Sequence, residues 1–124
     1  MSFSRKLGVL THRYISIILS VMMNRELIRA IDPAALSKAA DVIKVVGHPD
    51  RLRILEVLEE GEKAVGEIQE LLDMPQAIVS QHLAKMRGCN IVESRRDGIH
   101  VYYHIIEPKV KHILNCIRHC HLYE

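Results

Sequence analysis

Two groups of side chains in this 124-residue sequence could do chemistry. The first is a run of metal-ligand residue types near the C-terminus: His112, Cys116, His119 and Cys120. Thiolates and imidazoles spaced i, i+4 on a helix can hold a soft or borderline ion such as Zn, Cd or Cu(I), or arsenite. At about 100° per residue, His112, Cys116 and Cys120 form one slanted row beside an apolar stripe of Val110, Ile113, Leu114 and Ile117. One straight helix cannot surround a tetrahedral ion, so other ligands would come from a partner chain, from His121 or from His12. The same cysteines could instead serve thiol redox or reactive-sulfur sensing, or only pack as small hydrophobes.

The second group is Gln76, Ala77, Ser80, Gln81, His82 and Lys85, followed by the adjacent Arg95 and Arg96. Gln and Ser can bond to base edges in a major groove about 12 Å wide, and Lys and Arg to phosphate or guanine. His82 falls at the border between the buried and exposed sides of its helix. Polar residues on a free helix face are usually only solvated, so this reading depends on the elements around them. No nucleophile–base pair, phosphate loop or HExxH-type site is visible, so no catalytic residue is expected.

Those residues need elements to position them. Asp32-Pro33 is a helix start, a capping Asp followed by Pro where a missing N–H costs nothing. Leu36, Ala39, Ala40, Ile43 and Val46 then recur at helical spacing until Gly47. Pro49 opens a second helix with an inward stripe of Leu52, Ile54, Leu55 and Leu58. A short helix from Val65 to Leu72 turns Ile68, Leu71 and Leu72 inward and stops at Asp73-Met74-Pro75. The next helix starts near Gln76, buries Val79, Leu83 and Met86, and ends at Gly88-Cys89-Asn90. The period then drops to two: Ile91–Arg95 and Ile99–Ile105 read as strands joined by an Asp97-Gly98 hairpin turn. A last helix follows Pro108. The expected fold is mainly α with a small β-hairpin, a winged helix–turn–helix in residues 32–124 that dimerises through its N- and C-terminal helices.

Composition agrees with one such domain plus an arm. Hydrophobic residues make up 48% of the chain and aromatics only 4%, so the core is aliphatic. The net charge of +2 conceals a split: +4 in residues 1–31, −5 in 32–74, +1 in 75–107 and +2 in 108–124. Three cysteines, an odd number, suit free thiols in a reducing cytoplasm better than a secreted disulfide framework. Tyr14–Met23 is apolar but shorter than the ~20 residues a membrane span needs, and no small-x-small cleavage site follows it. Residues 1–31 therefore read as an N-terminal extension or extra helix, with Met22 or Met23 as alternative starts. Cys89 and His48 read as packing and helix-start residues, and His100 and His104 as facing solvent or DNA.

Three motifs in order resemble the ArsR/SmtB repressors. Val46–Leu55 (VGHPDRLRIL) resembles their opening, Met74–Leu83 (MPQAIVSQHL) their recognition helix, and Ile91–Gly98 with Val101-Tyr102-Tyr103 their wing. The resemblance spans roughly residues 35–120. It implies a homodimer on an inverted-repeat operator in double-stranded DNA, released by a metal, metalloid, reactive-sulfur or oxidant inducer. It also implies departures in the familiar last-helix zinc site: Glu107 matches the acid and Cys120 a later ligand, but Lys109 stands where a His is expected and Tyr123 at the last ligand position. The cysteine motif of the metalloid members and the second-helix cysteine of the persulfide sensors are absent. A winged helix used only for protein–protein contact is the alternative from another class; specific binding to a palindromic duplex at moderate salt separates the two.

Overall fold

The computed structural model describes residues 13–22 and 31–120, so His12, His121 and Tyr123 lie outside the described residues. The chain divides into two compact units, Met1–Leu36 and Ser37–Glu124. In the first, residues 13–22 form helix α1, whose side chains are all exposed. It overlaps the apolar run Tyr14–Met23, of which Met23 lies outside the described residues. No described helix is long and apolar enough to cross a membrane.

Helix α2 (Pro33–Val46) begins as its first residues dictate. Asp32 Oδ1 accepts from the Ala34 amide at 3.2 Å. The helix stops at Gly47, whose amide donates to Ile43 O; a Cβ there would stand 3.0 Å from that same oxygen. His48 caps helix α3 (Pro49–Glu59), its Nδ1 accepting from the Asp50 amide at 3.1 Å. Strand β1 (Lys63–Ala64) leads into α4 (Val65–Leu72), and Asp73 turns the chain through the left-handed region at φ 51°. Helix α5 (Gln76–Gly88) is closed by Asn90, also left-handed at φ 57°. Strands β2 (Val92–Asp97) and β3 (His100–Ile105) and helix α6 (Lys109–Arg118) complete the chain.

The three strands form one antiparallel sheet in the order β1-β3-β2. β2 and β3 pair from Val92↔Ile105 to Asp97↔His100. The turn is therefore Gly98-Ile99, one residue later than expected, with Gly98 at φ 62° supplying the conformation a two-residue hairpin needs. β1 carries no sequence signal because two residues are too few to show a period.

The core joins Val42, Val45 and Val46 of α2 to Ile54, Leu55 and Leu58 of α3, Ile68 of α4, and Val79, Leu83 and Met86 of α5. Ile91, Val92, Val110 and Leu114 close it from the wing and α6. Each fully buried aliphatic side chain is worth about 1.5–3 kcal/mol relative to exposure. Two expectations fail here. The inward side of α2 is the Val42–Val45–Val46 side, whereas Leu36 and Ile43 are 51% and 61% exposed. Leu71 of α4 is also exposed, because α4 turns only Ile68 fully into the core and Leu72 partly.

Candidate nucleic-acid interface

Helix α5 sets its buried anchors against a mainly polar outer side, which also carries Ile78, 39% exposed. Val79, Leu83 and Met86 have no exposed surface, while Gln76, Ala77, Ser80, Gln81, Ala84 and Lys85 all stand in solvent. The apolar anchors recur at i, i+4 and i+7, so the polar residues between them point outward. No side chain caps the N-terminus of α5, where Pro75 occupies the cap, so the Gln76 and Ala77 amides have no helical acceptor. At the other end, Arg87 Nη1 reaches Ser94 Oγ of β2 at 3.4 Å and links the helix to the wing.

His82 departs from the rest of its set. Its side chain is only 13% exposed, and Arg51 Nε of α3 donates to its Nδ1 at 3.2 Å. It faces α3 rather than the free side of α5. Its pKa is held below the ordinary imidazole value by burial first, then by His48 and Arg51, with Asp50 opposing.

The wing sorts its two arginines onto opposite faces, because successive strand side chains alternate. Arg95 Nη2 donates to Glu62 Oε1 at 2.6 Å, with Asp97 3.8 Å away and the Tyr102 ring 5.1 Å below the guanidinium carbon. The hydrogen bond to Arg95 holds the Glu62 carboxyl below its ordinary pKa. Arg95 thus fastens the hairpin to the loop before β1 and is not a free cation. Arg96 shares its face with Ser94, the residue that Arg87 reaches, and no polar partner holds it among the described residues. On the Arg95 face, His104 lies between Glu62 (3.8 Å) and Glu93 (3.5 Å), a neighbourhood the sequence did not announce.

The last helix assembles its ligand-type residues less well. α6 ends at Arg118, with His119 as its cap and Cys120 beyond it, so the row His112–Cys116–Cys120 is not one continuous helical row. All four candidates, His112, Cys116, His119 and Cys120, are exposed, and His119 Nδ1 lies 2.8 Å from Asn115 O. Among the described residues, they do not form a group of three ligand atoms within reach of one ion; only His48, Asp50 and His82 come within 4.8 Å of one another. Among the described residues, His112, Cys116, His119 and Cys120 therefore do not by themselves make a metal site. Glu107 has another use: its Oε1 accepts from the Lys109 amide at 3.2 Å and caps α6. Cys89 is half-buried against the core, as a packing residue should be.

A helix–turn–helix of α4 and α5 packed on α3 and followed by a hairpin wing defines a winged helix–turn–helix DNA-binding protein. The model of the bacterial regulatory protein family arsR matches residues 48–94, from the α3 cap to the wing. The transcriptional repressor PagR of Bacillus anthracis is 38% identical over 88 residues, covering 70% of this chain and 88% of PagR. The crystal structure of PagR superposes with a TM-score of 0.64 at 37% identity, over 69% of this chain and 99% of PagR. HlyU from Vibrio cholerae superposes at 0.66 with 30% identity, over 74% and 98%. A homodimeric winged helix–turn–helix fragment of Mb0332 from Mycobacterium bovis superposes at 0.62 with 30% identity, over 73% and 86%. The chain belongs to the ArsR family and is a DNA-binding transcriptional regulator of that family.

Proposed function

We propose that the protein is a cytoplasmic homodimeric repressor that reads an inverted-repeat operator with one α5 from each protomer. One observation carries this reading: α5 keeps three apolar anchors fully buried while its Gln, Ser and Lys side chains stand free beside the wing. Gln76, Ser80 and Gln81 suit base edges, and Lys85 and Arg96 suit phosphate. Pairing is supported by apolar side chains left open on α2 and α6: Leu36, Ile43 and Ile117. A two-fold axis would set the recognition helices about one DNA turn, ~34 Å, apart. Titration of a palindromic duplex at increasing salt tests the reading; absence of a specific complex at moderate salt overturns it.

The proposed inducer acts at the last helix, where Cys116 and His112 are exposed beside the Val110–Leu114 side. Soft ligands of this kind suit Zn, Cd, Cu(I) or arsenite, with a partner protomer completing the set. An inducer releases DNA only by binding the DNA-incompetent dimer more tightly. DNA affinity measured anaerobically with each ion and with polysulfide should fall for at least one of them. Cys116→Ser and Cys120→Ser should abolish that fall; an unchanged response excludes both cysteines as the sensor.

A further inference from the structure

Arg51 touches three elements at once. It sits on α3, its Nη1 donates to Val45 O at the end of α2 at 2.9 Å, and its Nε donates to His82 Nδ1 on α5 at 3.2 Å. Val45 O is one of the four carbonyls that a helix end leaves without a helical donor. A single planar guanidinium therefore links the C-terminus of α2 to the recognition helix, using two donors in fixed geometry.

The bond to His82 exists in one protonation state only. Nδ1 accepts the Arg51 Nε–H, so a neutral ring carries its hydrogen on Nε2. That Nε2 faces Asp50 Oδ2 at 3.9 Å. His48, 4.8 Å away ring to ring, likewise uses Nδ1 as an acceptor, from the Asp50 amide. A neutral His82 thus presents Nε2–H, not a lone pair, to Asp50. The cluster is a hydrogen-bond network in which the Nδ1 atom of each ring already accepts one bond.

A proton added to His82 can go only to Nδ1. There it meets the Arg51 N–H, removes the acceptor and sets two cations against each other. The groups facing His82 are His48 at the α3 cap and Asp50 and Arg51 on α3, while Arg53 Nη1 lies 4.0 Å from Asp50's other carboxylate oxygen.

We propose that Arg51 and His82 form a proton-released latch that holds the recognition helix in its DNA-reading position. Both are positioning residues, acting through α5 and not by contact with DNA. Acidification then weakens operator binding. The direction agrees with the lowered His82 pKa. A histidine kept neutral in the fold stabilises it above its ordinary pKa, and that contribution is lost as pH falls toward the lowered value.

The test uses the full-length protein and a duplex that it selects from a random pool. Fluorescence anisotropy at fixed ionic strength should show affinity falling about tenfold from pH 8 to pH 5, the equivalent of one hydrogen bond to a charged group. His82→Asn keeps an acceptor near the place of Nδ1 but cannot titrate. It should hold the pH 8 affinity and lose most of the pH slope, whereas Arg51→Ala should lose about tenfold at pH 8 and fall little further. An unaltered slope in His82→Asn, or full pH 8 affinity in Arg51→Ala, overturns the latch. Loss of discrimination in His82→Asn between the selected duplex and base-substituted duplexes would make His82 a base reader, and also overturns it.

Hydrogen exchange of the α5 amides in the free protein needs no DNA. Corrected for the intrinsic pH dependence, exchange should accelerate in acid in the wild type and not in His82→Asn; equal behaviour of the two overturns the latch. Failure to select any duplex would sink the DNA-binding reading alone, and the exchange experiment would still decide the latch.

Discussion

Helices α5 and α6 are of similar length, 13 and 10 residues, and each keeps a polar side in solvent. They differ in how much of them one chain finishes. α5 has three residues with no exposed surface and is tied at two places, by Arg51 to His82 and by Arg87 to Ser94. α6 buries Val110 and Leu114, leaves Ile117 39% exposed, and is tied to α3 by the Arg118–Glu59 pair. α5 is thus held at all three of its anchor positions. Each helix also leaves one isoleucine 39% exposed, Ile78 on α5 and Ile117 on α6, so the contrast rests on the buried anchors and the ties.

The largest expected effect separates the two helices by stability. Leu83→Ala, at a site with no exposed surface, should cost about 2–5 kcal/mol in urea unfolding. Ile117→Ala should cost about 0.5 kcal/mol or less in the monomer, while Ile117→Asp should shift sedimentation equilibrium toward monomer. Equal costs for Leu83→Ala and Ile117→Ala would mean that α6 is finished within its own chain.

A smaller effect sharpens the reading side. Gln81→Ala should lose about 1–3 kcal/mol of discrimination against the wrong base, with the salt dependence unchanged. Arg96→Ala should weaken binding to all duplexes and reduce the salt slope by about one. Arg95→Ala should leave that slope nearly as it was, because Glu62 already balances the charge. A slope change in Arg95→Ala equal to that in Arg96→Ala would put both arginines on phosphate.

The smallest effect concerns the two surface pairs. Arg118 holds the Glu59 carboxyl below its ordinary pKa, and Arg95 does the same to Glu62. A lowered carboxylate pKa stabilises the fold above the ordinary value, and the contribution disappears as pH falls through the lowered one. Both pairs are screened by solvent, so the change is slight. Stability against pH should therefore fall a little less steeply in acid for Glu59→Gln and Glu62→Gln than for the wild type. Hydrogen exchange should place the Glu59→Gln effect in α6 and the Glu62→Gln effect in the wing.

Much of this arrangement was legible in the sequence, and the gaps have a common cause. Pro33, Pro49, Asp73 and Asn90 mark helix boundaries through local backbone chemistry, and Val79, Leu83 and Met86 declare their burial by spacing alone. The apolar period of α2 could not say which side faces inward, because Leu36 and Ile43 are as apolar as Val42, Val45 and Val46. Helical spacing carries a row on to Cys120, but the helix ends at Arg118.

The sequence by itself determined the order of elements, helix α5 with its outward polar set, and the position of the wing within one residue. These depend on signals that act over a turn of helix or a pleat of strand. Only the tertiary structure decided that His82 faces Arg51, 31 residues away, and that Arg95 is held by Glu62, 33 residues away. Such pairs form because the core brings α3 against α5 and the wing against β1. Their energy comes from groups that no local pattern places side by side.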